Sequence, residues 1–287
     1  MDQHKRWGDA ELAQTRWRDA ATLTGELPPR QLALAVVDVV SAGVGQLIGA
    51  RPEVAEAFAA TTPIPVDVPI AVAPWAQQAH ALTAGVQAPA PSTVVLSHDV
   101  HQVAGDCLVR VEFSRPKHRQ VVSAAIELAA LCVAYPAQPW SAIVIRRPAK
   151  GDGQPDVVEL AVRDPQRRAA SAQRLLDAAL DLRLRAAREP IPLFEGSSAL
   201  IASDGQLSDE TVFEGSAYGP GDLSDEHVSF VWSAVSAEEM LSIEYRHGVD
   251  EPVPPRSLPG FAGHSRAASF ACYLWDALDD FVAVGGR

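Results

Sequence analysis

Apolar residues recur at Leu32, Val36, Val39, Val40, Val44 and Leu47. Spacings of three and four predict an amphipathic helix, which Pro29 is placed to open. Residues 9–23 are polar and helix-prone around Trp17 and Leu23, and the breaking turn Gly25-Glu26-Leu27-Pro28-Pro29 separates them from that helix. Pro52 opens a shorter helix, Glu53 to Ala60. The pattern then changes. Val66, Val68, Ile70 and Val72 alternate with other residues, as a strand does. A soft boundary near residue 62 divides an N-terminal helical segment, 1–61, from a mixed segment, 62–287.

Thr93 to Leu96 is a strand-like run, and Val100 and Val103 extend it to the turn Ala104-Gly105-Asp106. Leu108, Val109, Val111 and Phe113 form a second run, so residues 100–103 and 108–113 are expected to pair as an antiparallel hairpin. A helix over about 119–134 carries Val122, Ala125, Ile126, Ala129 and Val133 on one face, and it should pack on the hairpin. Ser141 to Ile145 is almost wholly apolar, the mark of a strand buried on both faces. Val157 to Val162 is a further strand. Pro165 opens a long helix to about Arg188, with Arg167, Arg168, Arg174, Arg183, Arg185 and Arg188 on a face expected in solvent. Ile191 to Phe194 should be extended. Residues 203–227, acidic and Gly-rich, suggest a mobile loop, followed by a strand over Val228–Val235 and a short helix over Ala237–Glu244. A Pro-rich linker, Pro252 to Pro259, leads to a last helix in which Phe270, Leu274, Leu278 and Phe281 face a core. There is no internal repeat and no heptad pattern.

Composition narrows the function classes. With 47% hydrophobic and 21% charged residues the chain is globular rather than disordered. Its formal charge of −12 disfavours gripping nucleic acid by bulk charge, so any DNA contact is local or supplied by a partner. Cys107, Cys132 and Cys272 stand apart, without a CxxC, which excludes a disulfide framework and a Cys-rich zinc site and fits a reducing cytoplasm. The polar start, Met1 to Arg6, is not followed by a signal core, and no apolar run reaches membrane-spanning length.

The order from residue 64 (strand, β-hairpin, helix, strand) matches an α/β, mixed-sheet core of the PD-(D/E)XK nuclease type, with flanking helices. Such nucleases need an acid on the first hairpin strand and acid-x-Lys on the second. The carboxylates hold Mg²⁺, and the metal and lysine activate water and stabilise phosphate charge. Here the second strand has Glu112-Phe113-Ser114, with serine at the lysine position. Aligning through Val103 puts His101 where the aspartate would stand. Asp99, two residues away, shares its face but sits about 6–7 Å further along a regular strand. Lys117 lies beyond Pro116. A rearranged site of Asp99, Glu112 and Lys117 is the alternative reading, an independent Mg²⁺-dependent nuclease. The favoured reading has no catalytic residue, no metal and no cofactor.

Other constellations are weaker. His98 and His101, three apart on a strand, face opposite ways and suit one metal poorly. Ser197-Ser198 is taken as a turn or helix cap rather than a nucleophile elbow. Gly151-Asp152-Gly153 lacks the strand-to-helix context of a phosphate cradle. Arg115, Lys117, His118 and Arg119 form the best local basic patch. It is either a solvated helix start or a contact for DNA phosphate or an acidic partner surface.

Several blocks carry a family resemblance. They are Trp17-Arg18 with Gly25-Glu26-Leu27-Pro28-Pro29; Leu108 to Ser114 with Lys117-His118-Arg119; Ala130-Leu131 with Tyr135-Pro136 and Pro139-Trp140; Arg188 to Leu193; Asp225 to Val228; and Ser265-Arg266, Phe270-Ala271 and Leu274-Trp275. In order and spacing the chain resembles the C-terminal region of RecC, the gamma subunit of exodeoxyribonuclease V in the RecBCD helicase–nuclease. The resemblance covers nearly the whole chain. It implies an inactive nuclease-like scaffold in recombinational repair of double-strand breaks, with RecB-like and RecD-like partners and DNA within the assembled complex. The helicase-like regions that precede this region in a complete subunit are absent, which suggests a split, truncated or reduced relative. An apolar surface for partners is expected at Trp7, Trp17 and the Leu32–Leu47 helix.

Overall fold

A computed structural model describes residues 31–60, 62–77, 92–148, 153–216 and 220–285. The expected helix over 9–23, Trp7, Trp17 and the Gly151-Asp152 part of the glycine loop lie outside the described residues.

Two helices come first, α1 (Gln31–Ile48) and α2 (Pro52–Ala59), the latter with proline in its first turn as the sequence predicts. Strands β1 (Ile64–Ala71) and β2 (Thr93–Val100) form a two-stranded antiparallel ribbon. A five-stranded sheet follows: β3 (Val103–Ala104), β4 (Cys107–Glu112), β5 (Ser141–Arg146), β6 (Asp156–Val162) and β7 (Val282–Gly285), in that order across the sheet. Only β4 and β5 are parallel. The long helix α3 (His118–Ala134) joins them, as a parallel crossover requires. The class is mixed α/β.

The hairpin is narrower than its pattern suggests. Gln102 has φ 59°, a left-handed backbone that breaks the run after β2. Only Val103 and Ala104 then pair with β4, while Thr93–Val100 pairs away with β1. Helix α3 does pack on this region. Its Val121, Ala124, Leu128 and Leu131 share one core with Leu108 of β4, Val144 of β5 and Leu160 of β6. The inward residues of the ribbon, Val66, Val68 and Ile70, close the same core, together with α4 (Arg168–Ala186) and the end of α9 (Arg266–Phe281). On the other sheet face, Leu47, Val54 and Ala57 from α1 and α2 cover Val109, Ile143 and Ile145. Strand β5 is thus covered on both sides, which explains its lack of polar alternation.

A second core joins α5 (Glu195–Asp204), α6 (Thr211–Glu214), α7 (Glu226–Trp232), α8 (Ala237–Ser242) and the start of α9 around Phe194, Ile201, Phe213 and Met240. This corrects two expectations. The described part of 203–227 is not one irregular loop, because it forms α6, Phe213 is fully buried, and Asp222 accepts the amide protons of Gly196 and Ser197 at 2.9 and 2.8 Å. Val228–Val235 is not a strand. The Asp225 carboxylate caps the amides of His227 and Val228, so a helix begins there, and Val228 and Trp232, one turn apart, face the core.

Most of the arginine face of α4 is in solvent as expected, but one member departs from it. Arg185 is 3% exposed and pairs with Asp181 at 2.8 Å. Its guanidinium stacks 4.5 Å from the Trp75 ring centroid. No described helix is long and apolar enough to cross a membrane. Among the described residues, α1 leaves Val39, Val44 and Ile48 exposed.

Candidate functional site

Strand register assembles the site. Glu112 at the end of β4 lies beside Arg146 at the end of β5, and Arg146 lies across from Asp156, which opens β6. Partners in register share a sheet face, so one row reads Glu112–Arg146–Asp156. It continues the rows Arg110–Val144–Val158 and Leu108–Ala142–Leu160 beneath α3. Arg110, in the middle row, pairs with Glu127 of α3. Arg146 is 8% exposed. Its Nε donates to Asp156 at 2.8 Å, Nη2 donates to the same carboxylate, and Nη1 donates to the Lys117 carbonyl at 3.1 Å. A fixed guanidinium therefore sits at the strand ends, tied to an acid on one side and to the loop before α3 on the other. That loop brings Ser114 and the basic cluster to the same end of the sheet.

Ser114, which the sequence pattern sets at the lysine position expected of an active nuclease, serves that loop. Its Oγ accepts from Gln120 Nε2 at 2.6 Å, and its carbonyl accepts from the Arg147 amide at 3.1 Å. The other end of Gln120 accepts from the Lys117 amide at 2.9 Å. One nearly buried glutamine thus clamps the turn that starts α3, a capping role. Replacing Gln120 by Ala should cost about 1 kcal/mol, the usual loss for a cap. Urea denaturation would detect it, and an unchanged midpoint would refute the clamp.

His101 and Asp99 are placed apart from Glu112. Asp99 is on β2, paired with Pro65 in the two-stranded ribbon, and His101 follows it in no strand. The His101 carbonyl accepts from Arg110 Nη1 at 3.1 Å. Asp67, His98, Asp99 and His101 line a cavity of about 480 Å³ on the ribbon. Among the described residues, no three His, Cys, Asp or Glu side chains are grouped to hold a metal. The carboxylates Glu112 and Asp156 flank a guanidinium, a donor set that does not fit Mg²⁺, which wants convergent oxygens rather than a neighbouring cation.

The basic cluster is on the surface. Arg115, Lys117 and Arg119 are exposed, and Arg119 is held near Glu195, with Nε 3.9 Å from its carboxylate. His118 lies edge-on to Trp275 at 5.7 Å beside a cavity of about 360 Å³ bordered by α5 and α9. Partial removal from water holds its pKa below the usual range and Arg146 adds to this, against opposing pulls from Glu195 and Asp222. The sequence reading missed Arg146 and Arg147. Arg147 is exposed and lies 5.0 Å from the Phe113 ring centroid, and Phe113 is itself 41% exposed. The signal was present in Ile145-Arg146-Arg147-Pro148, a charge pair closing an apolar strand. Such a surface can pair with phosphate or carboxylate oxygens.

Ser197 and Ser198 lie in the first turn of α5 and are both engaged. Ser197 Oγ donates to Asp222 and Ser198 Oγ accepts from the Phe194 amide at the start of α5. Cys107, Cys132 and Cys272 are free thiols, and burial pushes the Cys132 thiol up to about 12. Among known families, the RecC C-terminal domain matches residues 3–206. No curated protein matches the chain.

Proposed function

Because the chain belongs to the RecC C-terminal domain family, we propose that it is a non-catalytic scaffold and interaction domain of a RecBCD-type helicase–nuclease. Family membership itself makes it a RecBCD-type component in DNA repair, the exodeoxyribonuclease V context. The finer reading assigns it to recombinational repair of double-strand breaks in the cytoplasm. Its partners there are RecB-like and RecD-like subunits, with DNA inside the assembled complex. In this reading 62–287 is the nuclease-like unit and 1–61 its helical extension. The β4–α3–β5 crossover with acids at the strand ends supports a PD-(D/E)XK ancestry.

One observation carries the non-catalytic assignment: Arg146 occupies the row between Glu112 and Asp156. The engagement of Ser114 by Gln120 agrees with it. Hydrolysis of a phosphodiester by this fold needs carboxylates converging on a metal and a lysine free to balance charge. Here the fixed cation is arginine, already paired, and the lysine position is a capped turn. The purified chain should leave linear single- and double-stranded DNA intact with Mg²⁺ or Mn²⁺, and Glu112→Ala should change nothing. Cleavage abolished by Glu112→Ala or Asp99→Ala would instead establish the independent nuclease with a rearranged site. A second arm mixes the chain with RecB-like and RecD-like subunits and looks for a stable complex by size-exclusion chromatography with light scattering. Failure to associate would refute the scaffold role.

A further inference from the structure

Residues 189–245 hold 12 Asp and Glu and no Lys or Arg, so this one segment accounts for the whole formal charge of −12 and the remainder is neutral. The segment builds the second core. On its surface, α7 points Phe230 and Val231 outward, 89% and 46% exposed. The helix is not loose. Asp225 caps its start, Val228 and Trp232 enter the core from its other face, and Trp232 meets Phe194 edge-on at 5.4 Å. An aromatic held rigidly in water on an anchored helix costs free energy that a bound partner would recover.

The charge of the segment that carries it identifies the occupant. Asp225, Glu226, Glu238 and Glu239 are all exposed on α7 and α8 or at their starts. That field repels phosphate and attracts cationic protein surfaces. We infer that the outward face of α7, with Phe230 as anchor, docks on a partner protein surface with an apolar pocket rimmed by Lys and Arg. This rests on the reading of the chain as a subunit of a RecBCD-type complex and assigns the partner to a motor subunit of that complex. The surface lies beyond residue 206, where the family match ends.

The test uses the full chain and its RecB-like and RecD-like subunits, with binding measured by calorimetry at low and high salt. Phe230→Ala should weaken binding about tenfold or more, as loss of an anchoring aromatic does. Glu226→Lys with Glu238→Lys should weaken it at low salt and much less at high salt, because salt screens exposed charges. Val95→Ala, a 62% exposed valine on β2, should leave it unchanged. Circular dichroism verifies folding of each variant. Wild-type binding that survives Phe230→Ala overturns this inference and leaves the scaffold function standing. Absence of wild-type binding overturns both. If Phe230→Ala disrupts only self-association of the free chain, the occupant is a second copy and the assignment to a motor subunit fails.

Discussion

Replacing Asp250 by Ala is expected to cost about 3–5 kcal/mol of folding stability, the range for breaking a buried ion pair from one side. Asp250 has no exposed surface, yet it is fully engaged. Arg266 donates to it from Nε at 3.1 and 3.0 Å and from Nη2 at 3.0 Å. The Arg246 amide donates at 2.9 Å, and Arg185 lies 4.0 Å away. Glu189 accepts from Arg246 and Arg266 and extends the network to the turn after α4. Without Asp250, Arg266 and Arg185 remain buried with less countercharge. Urea denaturation at neutral pH measures the loss. Asp250→Ala combined with Arg266→Met should cost less than the two single losses added together, because the stranded charge goes too.

The same network predicts acid sensitivity. Burial alone would raise the Asp250 pKa, but hydrogen bonds from Arg266 and Arg246 outweigh it and hold the carboxyl below its usual range. A carboxylate with a depressed folded pKa contributes fully above its unfolded pKa of about 3.9. That contribution is lost as pH falls through the folded pKa. The gap between wild type and Asp250→Ala should therefore be widest near neutrality and shrink in acid. A gap that is constant with pH would mean that the carboxylate charge is not what stabilises the fold there.

Phe281→Ala should cost a further large amount, about 3–5 kcal/mol for a fully enclosed phenylalanine. Phe281 closes α9, is fully buried in the principal core with Leu278 and Val282, and its carbonyl accepts from the Arg163 amide at 2.9 Å. Strand β7 then pairs with β6. The C-terminal helix and strand therefore belong to the same cooperative unit as the sheet, although they lie past the family-matched residues. Phe230→Ala, at an exposed position, should leave the unfolding midpoint nearly unchanged and serves as the internal comparison. Equal losses at both positions would refute the packing argument.

Local patterning determined much of this protein. Apolar periodicity foretold α1, α3, α4 and α9, Pro52 foretold α2, and the run Ser141–Ile145 announced a doubly covered strand, because burial on both faces removes polar alternation. What the tertiary structure decided depends on groups far apart in sequence. Gln102 turned the chain, so β2 paired with β1 rather than continuing into the hairpin, and Asp99 was carried to a different sheet from Glu112. Val228, Phe230 and Trp232 alternate as a strand would, yet a cap at Asp225 and a core one helical turn wide made them a helix. Arg185 looked like one more solvated arginine until Asp181, Trp75 and the carbonyls of Val249 and Glu251 enclosed it. Arg146 joined the Glu112 row only through strand register. Propensity acts over a few residues, whereas strand pairing, countercharge and burial are set by which distant segments meet when the chain closes.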